Sequence, residues 1–126
     1  MNVVWFKRDL RITDHKPLYD AALYGEVMPL YIAEPSIWAE NDLSARHFQF
    51  VCESLADLQS SIERRGGTLF TFIGEMEEVL ESLLEAFGTF TLYTHEERGT
   101  KLTYDRNIKV SEWMRNRNLK FFEYPI

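Results

Sequence analysis

Five short apolar runs set the terms for any fold of this chain. They cover residues 3–6 (VVWF), 27–33 (VMPLYIA), 68–73 (TLFTFI), 90–93 (FTLY) and, more weakly, 120–124 (KFFEY). None alternates strictly between apolar and polar residues. Such runs fit strands covered on both faces, as in a parallel sheet. Between them lie stretches with helical periodicity, and strand–helix–strand repeated over short connections predicts a doubly wound α/β domain. The expected fold is therefore a five-stranded parallel sheet with helices on both faces.

The helical stretches carry their own punctuation. Asp14 or Thr13 can cap a short first helix with Pro17 in its first turn and Gly25 as its stop. Ser44 is placed to cap a second, whose apolar stripe would be Phe48, Val51, Cys52, Leu55, Leu58 and Ile62. It would end at Arg64-Arg65-Gly66-Gly67. Cys52, lying on that stripe, reads as inert core. The third stripe runs Met76, Val79, Leu80, Leu83, Leu84, Phe87, with Gly88 as the stop and Glu75, Glu77 and Glu78 where the helix dipole favours acid. A fourth helix is expected over 100–117, with Val110, Trp113 and Met114 inward. Residues 34–43 form the longest irregular piece, and Trp38 within it could cover a pocket.

Length and charge narrow the function. The chain has 126 residues, one domain's worth, and a formal net charge of -6. That balance argues against a duplex-binding face in this piece. A single cysteine cannot form an internal disulfide. The N-terminus reads as a strand rather than a secretory leader, and no apolar run reaches the ~20 residues of a membrane span. A cytoplasmic domain is expected. The halt at Tyr124-Pro125-Ile126, just after the fifth run, reads as a cut at a domain boundary.

In open parallel sheets ligands bind beyond the carboxyl ends of the strands. The segments there are Lys7, Arg8, Asp9 and Arg11 after the first run, Glu34 after the second, Gly74 and Glu75 after the third, and Thr94 to Arg98 after the fourth. The first and fourth are unusually charged and should be neighbours where the strand order reverses. The phosphate-cradling GxGxxG and GxxxxGK[ST] turns are absent, as are a GxSxG elbow and zinc-type Cys/His spacing. No catalytic constellation and no metal site emerges. Plainer readings stand beside each candidate: Arg8 and Asp9 as a local ion pair, His95 as a structural hydrogen-bonder, Glu96 and Glu97 as solvated side chains, Trp5 and Trp113 as core.

These residues also resemble a known family. "VVWFKRDLRITDHKPL" is similar to the N-terminal signature of DNA photolyases and cryptochromes, a strand ending in Trp-Phe followed by basic-Arg-Asp-Leu-Arg, then Asp and Pro-Leu. "VMPLYIAEP", "SARHFQFVCESLADLQSSIERRGGTLF", "GEMEEVL" and "THEERGTKLTYDRNIKVSEW" resemble later family segments in the right order, the last in a bacterial variant. The resemblance covers essentially the whole chain. It implies that residues 1–126 are the N-terminal domain of a flavoprotein. In such a parent an all-helical C-terminal domain of the same chain holds FAD, binds damaged DNA and splits pyrimidine dimers by light-driven electron transfer, or senses blue light. This piece would then be the antenna and interdomain module, inactive alone, with no FAD site and no contact with DNA or membrane. Carried over residue by residue, an antenna (a folate, a deazaflavin or a flavin) would be bound by Phe6, Lys7, Arg8, Glu34, His95 and Glu97. The other reading of the same residues is a free-standing nucleotide- or flavin-binding module. A third is a structural domain that docks a partner.

Overall fold

A computed structural model describes residues 1–40, 45–97 and 99–125. Its strands are β1 (Asn2–Phe6), β2 (Val27–Ala33), β3 (Phe70–Ile73), β4 (Thr91–His95) and β5 (Phe121–Tyr124). All pair in parallel, in the order β3-β2-β1-β4-β5. The order reverses at β1, so the crevice beyond its carboxyl end opens between the connections leaving β1, β2 and β4.

The helices are α1 (Lys16–Leu23), α2 (Pro35–Glu40), α3 (Ala45–Glu63), α4 (Met76–Phe87) and α5 (Lys101–Asn116). Side-chain alternation on β1 divides the core in two. Val3 and Trp5 pack with Met76, Val79, Leu80 and Leu83 of α4 and Val110, Trp113 and Met114 of α5. Val4 and Phe6 face the other way, onto Ala21 of α1 and Leu58 and Ile62 of α3. Gly88 ends α4 as expected, in the left-handed region at φ 81°, where a residue with a Cβ is strained.

The structure corrects four local expectations. β3 is an edge strand rather than a doubly covered one. It has one neighbour, and Phe70, Phe72 and Ile73 are all exposed. The cap of α1 is His15, not Asp14 or Thr13. Asp14 takes φ 52°, and the His15 Nδ1 accepts a 3.1 Å bond from the Leu18 amide. Residues 35–40 of the stretch expected to be irregular form α2. Cys52 is exposed rather than core, because α3 meets the sheet mainly through its C-terminal half: Leu58 and Ile62 are buried, whereas Phe48 and Phe50 face solvent. The expected cap Ser44 lies outside the described residues. The helix expected over 100–117 is α5, capped by Thr100, which accepts from the Thr103 amide.

Candidate ligand cleft

Two clusters of charge occupy the carboxyl end of the sheet. Because β1 and β4 are neighbours, the two charged connections lie side by side, and Asp9 joins them. Its Oδ1 accepts the Lys7 amide at 2.8 Å, and its Oδ2 accepts from His15 Nε2 at 2.5 Å and from His95 Nδ1 at 2.7 Å. The His15 tautomer follows from the capping bond. Nδ1 receives an N–H and must carry the lone pair, so Nε2 carries the proton that Asp9 accepts. Burial alone would raise the Asp9 carboxyl, but the bonds from His15, His95 and the Lys7 amide outweigh it and hold the group well below the usual carboxylate range.

The ligand atoms of Asp9, His15 and His95 lie within 4.8 Å of one another, close enough to suggest a metal centre. The hydrogen bonding argues otherwise. A metal on Nε2 would move the His15 proton to Nδ1 and break the cap of α1. The trio is a latch that ties the first connection to α1 and to the end of β4.

The second cluster centres on Arg106 of α5. Its guanidinium bridges the carboxylates of Glu34 and Glu97, and Glu97 also receives Arg8 Nε at 3.1 Å. Arg106 and Lys7 both lie over the ring of Trp5, at 4.9 and 4.2 Å from its centroid. Lys7 Nζ donates to the His95 carbonyl at 2.7 Å. Burial, and then Arg106, lower the Lys7 ammonium to about 8. Burial raises the Glu34 carboxyl to about 7, with Arg106 opposing it.

Beside this cluster lies a cleft of about 720 Å³. It exists because the N-terminal half of α3 stands off the sheet. Its walls include Trp5, Tyr31 and Trp38, and its charged lining is Lys7, Arg8, Arg11 and Arg106 against Glu34 and Glu97. Four cations facing two carboxylates make a locally basic crevice in an acidic chain, suited to a flat ligand with an anionic part.

Five of the six residues singled out from the sequence, Phe6, Lys7, Arg8, Glu34 and Glu97, line this cleft. His95 is not among its lining residues and serves the latch instead. Arg8 pairs with Glu97 rather than with Asp9, and the Glu97 side chain is only 9% exposed rather than solvated. Trp38 lines the pocket it was suspected of covering. Sequence reasoning missed Arg106. Its signals are its place one helical turn inside α5 and its position in the family-like segment THEERGTKLTYDRNIKVSEW.

A doubly wound domain with a basic cleft at its switch point has its opening where α/β sheets of this kind bind ligands. The comparisons narrow the reading. The sequence model of the family described as DNA photolyase matches residues 2–125. A chloroplastic/mitochondrial cryptochrome DASH of Solanum lycopersicum is 32% identical over 98% of this chain and 22% of its own length. A deoxyribodipyrimidine photo-lyase of Agrobacterium fabrum is 36% identical over 71% of this chain and 18% of its own. Among solved structures, an archaeal photolyase from Sulfolobus tokodaii, described with two FAD molecules, superposes with a TM-score of 0.86. It is 26% identical over 99% of this chain and 29% of that one. The chain belongs to the DNA photolyase family, and it spans less than a third of the length of these relatives. Among the described residues, no helix is long and apolar enough to cross a membrane.

Proposed function

We propose that this chain is the N-terminal antenna and interdomain module of a photolyase or cryptochrome, and that its cleft holds the light-harvesting chromophore. The observation that carries the reading is the cleft itself, basic and aromatic-walled, at the switch point of a chain in this family. Phe6, Lys7, Arg8, Glu34 and Glu97 would contact the chromophore together with Arg106, and His95 would position the first connection through Asp9. A folate, deazaflavin or flavin absorbs light and passes the excitation on; these residues bind it, orient it and shield it from water. The parent protein would hold FAD in a helical domain of the same chain. There it would either split pyrimidine dimers in damaged DNA or sense blue light. The fragment alone performs no chemistry.

The test is a titration of the protein with flavin mononucleotide and with a reduced folate, followed by ligand fluorescence. Saturable binding of one of them, weakened at least about tenfold by Arg8→Ala, is expected. Failure of every antenna-type ligand to bind would remove the antenna role and leave an interdomain module.

A further inference from the structure

Glu34 directly follows β2 on the wall of the cleft, with its side chain 5% exposed. Arg106 Nη1 donates to its Oε1. The other oxygen, Oε2, is buried and has no hydrogen-bond partner among the described residues. A buried carboxylate oxygen in that state is unfavourable until something donates to it. The rest of the rim is already paired: Glu97 is bound by Arg106 and Arg8, and Glu75 by Ser36.

The surroundings restrict what the donor can be. A cationic donor would face Arg106, Lys7 and Arg8, so like-charge repulsion disfavours it. A bare phosphate brings acceptors only. The aromatic side chains of Tyr31 and Trp38 on its walls favour a flat ring. A neutral N–H or O–H donor fits, and on a planar heterocycle a lactam or imide N–H is the ring donor best matched to a carboxylate. We propose that Glu34 reads the ligand of this cleft by accepting, at Oε2, a lactam or imide N–H on the edge of a planar heterocycle. Any anionic substituent of that ligand lies toward Lys7, Arg8 and Arg11. The inference rests on the reading of the cleft as a ligand site. It adds which edge of the ligand is recognised and by which residue.

The test compares two probes on the unaltered chain: flavin mononucleotide, whose ring carries an imide N–H, and its derivative methylated on the imide nitrogen. Flavin fluorescence follows both titrations. The parent flavin should bind about tenfold more tightly, the factor carried by a hydrogen bond to a charged group. In Glu34→Gln that preference should vanish. The glutamine keeps its oxygen toward Arg106 and turns its NH₂ toward the ligand, where two donors then meet. Equal, saturable affinity for both probes on the unaltered chain would overturn the role of Glu34 and leave the ligand cleft standing. So would a preference that survives Glu34→Gln. No saturable binding of either flavin would overturn both. The two-probe comparison needs no variant, so a misfolded Glu34→Gln does not protect the proposal.

Discussion

Asp9, partly buried, and Glu34, buried, are carboxylates at the same end of one sheet, and they meet opposite fates. Asp9 accepts three hydrogen bonds and is held below the ordinary carboxylate range. Glu34 has a guanidinium on one oxygen, nothing described on the other, and a carboxyl raised to about 7. The difference separates a group that completes the fold from one left open toward a cleft. Donor supply decides it. The first connection folds back so that its own amide, the α1 cap and the β4 end converge on Asp9, whereas among the described residues the Glu34 side chain is reached from α5 alone.

The largest effect should come from removing the cation that both rim carboxylates share. Arg106→Met leaves Glu34 and Glu97 buried with weakened pairing and should cost ~3–5 kcal/mol, measured by urea denaturation. A loss below about 1 kcal/mol would mean the cluster is far more hydrated than its burial implies. Next, Asp9→Ala should cost ~2–3 kcal/mol, because it strands two imidazole N–H groups and an amide. His15→Ala should lose the cap, one bond to Asp9 and the packing of its buried ring on Phe6 and His95, ~2–3 kcal/mol. The double variant Asp9→Ala/His15→Ala should cost less than the sum of the two, and strict additivity would mean that the latch does not act as one unit.

Acidity separates the two carboxylates more finely. The folded pKa of Asp9 is depressed, so its stabilisation is present above its unfolded value of 3.8 and is lost as pH falls below it. The folded pKa of Glu34 is raised. Its contribution is therefore fully present below its ordinary value of 4.5 and is lost as pH rises through about 7. Glu34→Gln should flatten the stability profile between those two values by on the order of 3 kcal/mol. Asp9→Asn should flatten it only below pH ~4. Denaturation series across pH read both, and a Glu34→Gln profile parallel to the wild type would dismiss the Glu34 shift. The smallest effect is expected at Cys52. Being exposed, it should react readily with a thiol reagent in the folded chain, and Cys52→Ser should change stability by less than about 0.5 kcal/mol.

Much of the fold was legible because apolar runs report burial. All five strands lie within or next to the runs that announced them, and the charged first and fourth connections are neighbours as their positions required. The misses share a cause, since periodicity carries no information about how many elements cover a stripe. The run at 68–73 is as apolar as a central strand, yet Phe70–Ile73 ends up at the edge. Cys52 continues a stripe that the sheet meets only near Leu58 and Ile62. The site was partly legible, because strand ends are where ligands gather. The role of Arg106 was not, since its segment resembles the family but no spacing says that α5 carries it over Trp5 to Glu34. Nor could spacing show that His15 would replace Asp14 as the cap and join Asp9 and His95.

The contrast between the two carboxylates is tested most directly by carboxyl ¹³C NMR titration of the chain, with and without flavin mononucleotide. The account predicts that Glu34 titrates near 7 in the free chain and moves to lower pH when the flavin binds, because a new donor favours its charged form. Asp9 should stay ionised throughout that range in both states. A Glu34 signal that titrates at its ordinary 4.5, or that ignores the bound flavin, would contradict it.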